Sequence, residues 1–213
     1  MNKNNKAKIN IINNILITGQ GIKTLEGSRW LDDQVINTYF QLICNFSDLN
    51  IFFVDSGVYK LFKERLNSKQ QYCLKKSKCS IDDLDIILLP INFTDETGLI
   101  GHWAFAAVYV NAKVIKFYDS IKNFGLSLNG HCVCEDIRRF LRSTNFFSNI
   151  AACQWQLEYP ETPQQQDTSS CGVFACQIAK QLSNSQSLNI KTGDIPYLRK
   201  EMTCEIALGI LFK

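Results

Sequence analysis

The stretch Pro163–Lys180, PQQQDTSSCGVFACQIAK, constrains the rest of the chain most. It runs from a polar loop into an apolar segment of helical period, with Cys171-Gly172 at the junction. Val173, Phe174, Cys176, Ile178 and Ala179 give the pattern of a buried helix. Ser169 or Ser170 can cap its start, and Gly172 lets the backbone approach closely beside the thiol. A cysteine at a helix N-terminus lies at the positive end of the helix dipole, which favours the thiolate, the nucleophilic form. Gln164, Gln165 and Gln166 lie just upstream, with amide donors able to face a developing oxyanion.

A nucleophilic cysteine needs a base, and the base needs an orienting partner. The chain has two histidines, His102 and His131. His102 opens the strand-like run HWAFAAVYV, and Asp119 closes the next one, KVIKFYDS. A separation of 119 − 102 = 17 residues suits neighbouring antiparallel strands, which would bring His102 and Asp119 to the same edge. Taken singly, His102 reads as an ordinary histidine, Asp119 as a turn residue, Cys171 as structural and the glutamines as a solvated loop. Together they supply a nucleophile, a base and an orienting carboxylate, the set that a Cys-His-Asp mechanism requires.

The runs PINFTDETGLIGHWAFAAVYV, VIKFYDSIKN and PQQQDTSSCGVF resemble the three catalytic blocks of the ubiquitin-like-specific cysteine proteases of clan CE. SRWLDDQVINTYFQLI resembles that family's substrate-tail segment, so the likeness runs from about Trp30 to Ala179. It implies an α+β, papain-like protease core with a mixed central sheet flanked by helices. It also implies His102 as base, Asp119 as its orienter, Cys171 as nucleophile and Gln165 as oxyanion-hole glutamine. Trp30 and Trp103 would be indoles roofing a narrow channel for a Gly-Gly tail, although each is also a reasonable core aromatic. The chain departs from the family where Tyr-Asp often precedes the nucleophile, here Ser169-Ser170. It departs again where Asn usually follows Trp-Leu, here Asp32.

Length and composition agree with one globular domain over 15–213, preceded by a Lys- and Asn-rich segment, 1–14, read as disordered or loosely docked. The net charge of +3 is too small to argue for nucleic acid. No unbroken apolar run has the length of a membrane helix, and asparagines interrupt the one run that faintly resembles a signal peptide. Nine cysteines at irregular spacing include no CxxC pair. His131-Cys132-Val133-Cys134 lacks a second ligand pair, so neither a metal nor another cofactor is expected. Most of the cysteines read as small buried hydrophobes in a reducing compartment, cytoplasmic or nuclear.

The remaining elements follow from periodicity. Leu31–Phe46 has a helical stripe with Ser28 or Asp32 as candidate caps. Phe52–Val54 reads as a short strand, followed by a helix capped by Asp55 or Ser56 and carrying Val58, Leu61, Phe62 and Leu66. Lys60–Lys78 is basic and reads as a solvated face. Asp85–Phe93 has strand length, with Pro90 marking an edge or an end. Val133–Phe147 reads as a helix with Ile137, Phe140 and Leu141 inward, and Cys153–Tyr159 as a half-buried strand with Trp155 in the core. Ser183–Gly193 is a polar loop. Ile195–Phe212 is a last helix with Leu198, Met202, Ile206 and Ile210 on one stripe.

The function implied is a monomeric cysteine isopeptidase, a deubiquitinase cleaving after the C-terminal Gly-Gly of ubiquitin or a ubiquitin-like protein. SUMO- or NEDD8-specific cleavage, a clan CE acetyltransferase and a silent binding module are the alternatives. Acetyltransferases of the clan typically have Glu where Asp119 stands. Asp32 and Asp33 follow Trp30-Leu31, where the family contacts the tail. A carboxylate there would pair with the arginines of the ubiquitin tail, which SUMO lacks, and this predicts ubiquitin over SUMO. Asp32 could equally be a helix cap. The Lys-, Asn- and Ile-rich composition fits an AT-rich genome. A bacterial source would imply an effector delivered into a eukaryotic host.

Overall fold

A computed structural model of the chain describes residues 8–12, 15–63, 83–94, 101–121, 127–143 and 154–212. The residues divide into two compact units, Leu49–Thr162 and the discontinuous pair Met1–Asp48 with Pro163–Lys213. No linker-like composition marks Asp48 or Pro163, because the second unit is assembled from both ends of the chain.

Leu49–Thr162 is built on a mixed five-stranded sheet. Its strands are β3 (Ile51–Phe53), β4 (Ile86–Thr94), β5 (Gly101–Tyr109), β6 (Val114–Tyr118) and β7 (Gln156–Glu158), in that spatial order. The β4–β5 and β5–β6 pairs are antiparallel, while β3 and β7 join the two flanks in parallel. Both faces of β5 are buried, so it reads as one apolar run rather than an alternation. Pro90 lies inside β4, beyond the Ile86–Leu88 segment that pairs with β3. A residue without an N–H is tolerated there because β4 has passed the end of β3. Helices α3 (Ser56–Lys63) and α4 (Ser127–Ser143) pack on β4 and β6. They enclose a core containing Val58, Ile87, Leu89, Ile91, Ala104, Ala106, Ile137, Leu141 and Trp155. Asp55 opens α3 by accepting the Gly57 N–H at 2.9 Å. α4 begins before the Val133 expected from sequence. Gly130, which looks like a break, is where the helix crosses Phe117, and an added Cβ would lie 2.8 Å from that ring. The ends expected at Leu66 and Phe147 lie outside the described residues, as do most of Lys60–Lys78 and Cys153.

The other unit combines β1 (Lys8–Ile12), β2 (Ile15–Thr18), α1 (Gly19–Lys23), α2 (Asp33–Phe46), α5 (Cys171–Ser183) and α6 (Ile195–Leu208). β1 pairs antiparallel with β2, so part of the segment read as disordered or loosely docked is strand. Its asparagines hide a short β-forming run. Val35, Ile36, Tyr39, Phe40, Leu42 and Ile43 of α2 have no exposed surface. They pack with Val173, Phe174 and Ile178 of α5 and with Met202 and Ile206 of α6 in the same buried interior. The last helix stops at Leu208, ahead of the Phe212 expected, because Gly209 turns left-handed at φ 70°. Ile210 therefore leaves the stripe and is exposed.

One polar cluster crosses this interior. Glu205 has no exposed surface, and its carboxylate accepts from Lys180 Nζ at 2.7 Å, Tyr39 Oη at 2.6 Å and the Phe212 N–H at 2.7 Å. Gln177 Nε2 donates to Tyr39 Oη at 3.0 Å, and Lys180 also reaches Glu201 at 2.8 Å. A charge buried this deeply is tolerated only because its oxygens are occupied.

Candidate active site

His102 is the second residue of β5 and lies opposite Phe93 of β4. It follows the alternation of Ala104 and Ala106, so the ring lies on the face that carries the sheet's core. Asp119 is the first residue past β6, whose last pair with β5 is Tyr118 with Phe105. There the chain turns, and Asp119 Oδ1 accepts the Ile121 N–H at 2.9 Å. The same oxygen lies 2.7 Å from His102 Nε2. A carboxylate only accepts, so the proton of this contact belongs to Nε2, and in the neutral ring the lone pair is then on Nδ1. Phe93 stacks on the imidazole at 6.3 Å and 19°. The pair is shielded, with side-chain exposures of 8% and 14%. The meeting of His102 and Asp119 expected from their spacing is thus observed within one unit.

Cys171 is the first residue of α5 and is buried. Ser170 occupies the cap position, but neither serine caps the helix with its side chain. The reason is Asp167, whose Oδ2 takes the Ser170 hydroxyl at 2.7 Å and whose Oδ1 takes the N–H groups of Ser169 and Ser170, each at 2.8 Å. Gln165 Nε2 donates to the Asp167 carbonyl oxygen at 2.7 Å. A primary amide has a second N–H for another acceptor. Gln164 and Gln165 are half-buried, and Gln166 is exposed.

Trp30 and Leu31 are brought to this loop. The Trp30 indole is 44% exposed, yet its Nε1–H donates to the Thr168 carbonyl at 2.7 Å. Leu31 packs on Gly172 so closely that an added Cβ would lie 3.0 Å from the Leu31 Cβ. This is the close approach for which the glycine is needed. Asp32 is the N-cap of α2, and its Oδ1 accepts the Val35 N–H at 3.0 Å. Burial pushes its carboxyl above the usual value, helped by the neighbouring Asp33 and opposed by the cap bonds. Asp33 is exposed in the first turn. Trp103, in the other unit, is 4% exposed and lies on the face of β5 opposite His102.

Two residues that hold this loop, one within it and one on α6, are not singled out by the sequence. Asp167 had a signal, an acidic residue two before Ser-Ser at a helix start. Arg199 had a fainter one, a lone cation three residues before Met202 and seven before Ile206 on the buried face of α6. His131 is exposed, with Nδ1 3.1 Å from Tyr159 Oη. Among the described residues no His, Cys, Asp and Glu side chains cluster as metal ligands. Of the described cysteines, Cys134, Cys171 and Cys176 are buried, whereas Cys132 and Cys204 are exposed and depart from the buried reading. No described helix is long and apolar enough to cross a membrane.

The profile of the Ulp1 protease family, C-terminal catalytic domain, matches residues 29–210. A sentrin-specific protease of Caenorhabditis elegans is 30% identical over 200 residues, 90% of this chain and 27% of that protein. Sentrin-specific protease 5 of Homo sapiens is 31% identical over 190 residues, 87% of this chain and 23% of that protein. The chain therefore spans about a quarter of the length of these relatives. The crystal structure of the C-terminal Ulp1 protease domain in complex with Smt3, the yeast ortholog of SUMO, superposes with a TM-score of 0.84. It is 25% identical and covers 95% of this chain and 87% of that one. The match agrees with the α+β architecture and the mixed central sheet described above.

Proposed function

The chain belongs to the Ulp1 protease family, and we propose that it is a cysteine isopeptidase that releases a ubiquitin-like modifier of the SUMO class from lysine side chains. The observation that carries this reading is the 2.7 Å contact between His102 Nε2 and Asp119 Oδ1. That contact leaves Nδ1 as the basic nitrogen, the atom a thiol proton must reach. His102 Nδ1 takes the proton of Cys171, and the sulfur attacks the carbonyl carbon of the modifier's terminal glycine. The second N–H of Gln165 and the backbone N–H of Cys171 hold the oxyanion. The lysine amine leaves with the proton from His102, forming a thioester. Water, deprotonated by His102, then hydrolyses the thioester and frees the modifier's carboxylate and the thiol.

The tail passes beside Trp30, whose exposed indole is fixed to the nucleophile loop by its bond to the Thr168 carbonyl. A cationic ubiquitin tail would pair with Asp32 or Asp33; the Asp32 carboxylate caps α2, which leaves Asp33 as the exposed acid of the pair. The relatives' names and the Smt3 complex favour a SUMO-class modifier. Ubiquitin is the second reading, supported by Asp33 alone. A panel of C-terminally activated SUMO, NEDD8 and ubiquitin probes distinguishes the two. The reading predicts fastest labelling by SUMO, and faster labelling by ubiquitin would replace it with the second.

A further inference from the structure

The peptide unit between Ser169 and Ser170 is gripped at both ends. Its N–H, on Ser170, donates to Asp167 Oδ1 at 2.8 Å. Its carbonyl, on Ser169, accepts from Arg199 Nη2 at 3.1 Å. Ser169 and Ser170 are also one of the places where the chain departs from the family pattern. Arg199 is only 3% exposed and also donates to the carbonyls of Thr24 at 3.1 Å and Arg29 at 2.8 Å. One guanidinium thus ties α6, the segment leading to Trp30 and the turn before Cys171.

Ser170 has φ −97° and ψ 0°, a turn conformation rather than a helical one. Its ψ sets the direction of the Cys171 N–H, which lies on the following peptide. The carbonyl of Asp167 also receives the Gln165 amide. Both donors assigned to the oxyanion are therefore oriented through one residue. Burial by itself would raise the Asp167 carboxyl. The bonds from Ser170 and Ser169 and the charge of Arg199 outweigh it and hold the group below the usual value, so it stays an acceptor at neutral pH.

We propose that Asp167, backed by Arg199, is a positioning residue for the nucleophile turn, aligning the Cys171 N–H and the Gln165 amide on the oxyanion. This rests on the isopeptidase reading. It separates Asp167 from a group that merely stabilises the fold, because the effect falls on the transition state and not on modifier binding.

The test compares Asp167→Ala and Asp167→Asn with wild type on a SUMO-derived fluorogenic substrate, with kcat per folded enzyme. An asparagine keeps one oxygen for the two N–H groups, and an alanine keeps none. Asp167→Ala should lower kcat on the order of a hundredfold with KM within about twofold, and Asp167→Asn should restore kcat to within about fivefold of wild type. A kcat for Asp167→Ala within about threefold of wild type, or a loss confined to KM, overturns the proposal. Amide hydrogen exchange supplies a readout that needs no modifier. Ser169 and Ser170 should exchange slowly in wild type and at least about tenfold faster in Asp167→Ala. Unprotected amides in wild type overturn the clamp. A wild type that cleaves no modifier while these amides are protected defeats the isopeptidase reading instead.

Discussion

His102 Nε2 and Asp119 Oδ1 stand 2.7 Å apart, and the Ile121 N–H holds the same carboxylate oxygen at 2.9 Å. The carboxylate is thus fixed by its own turn before it meets the imidazole, and it specifies which ring nitrogen keeps the proton. Asp119→Asn offers the ring an amide that can present N–H instead of oxygen and so permits the wrong tautomer. We expect kcat to fall by roughly a thousandfold or more with KM changed far less. Steady-state kinetics check this, and a loss under about tenfold would remove Asp119 from its assigned role.

Gln165→Ala should lower kcat by roughly a hundredfold, the cost of one oxyanion donor, with a smaller change in KM. Gln166 is exposed, and its replacement should have little effect. A larger loss from Gln164→Ala or Gln166→Ala would move the donor to that residue.

Asp32→Asn separates capping from charge. Asparagine caps as well as aspartate, whereas Asp32→Ala should cost about 1 kcal/mol. Burial raises the folded pKa of Asp32 above 3.8. The folded state therefore binds this proton more tightly, and the group adds stability only as pH falls through the raised value. Asp32→Asn should melt at or above the wild-type temperature at pH 7, with any advantage shrinking towards pH 4. A clear loss of stability at pH 7 would show that the buried charge is favourable.

Lys180→Met removes the cation facing the fully buried Glu205. Leaving one partner of a buried pair uncompensated should destabilise the protein by about 3 kcal/mol, measured by denaturant unfolding at pH 7. Burial lowers the Lys180 pKa, but its bonds to Glu201 and Glu205 outweigh this and raise it above 10.5. Its stabilisation is then complete below 10.5 and lost as pH rises through the folded value. Wild type and variant should converge in strongly alkaline solution; an unchanged gap there would assign the effect to packing.

The helices at Asp33–Phe46 and Cys171–Ser183 and the strands carrying His102 and Asp119 were legible because each has an apolar period matched to its burial. Boundaries were less so. The helix expected from Val133 starts at Ser127, ahead of Gly130 where it crosses the Phe117 ring, and Pro90 marks an edge because β3 stops short of it and not because β4 ends there. Asp32 had two readings in the sequence, cap and tail contact, and only the Val35 N–H decides that its carboxylate caps the helix. Arg199 was illegible in a different way. Its partners are the carbonyls of Thr24, Arg29 and Ser169, far away in sequence, and a carbonyl leaves no trace in residue type.

The Cys171 sulfur is the atom proposed to take the acyl group of a ubiquitin-like modifier. The direct measurement is mass spectrometry of the protein after reaction with a SUMO vinyl-sulfone probe, followed by peptide mapping. A single adduct on Cys171 is expected, abolished in Cys171→Ala and strongly slowed in a folded His102→Ala protein, with Cys132 and Cys204 unmodified although they are exposed. An adduct on any other cysteine, or undiminished labelling of Cys171→Ala, would contradict it.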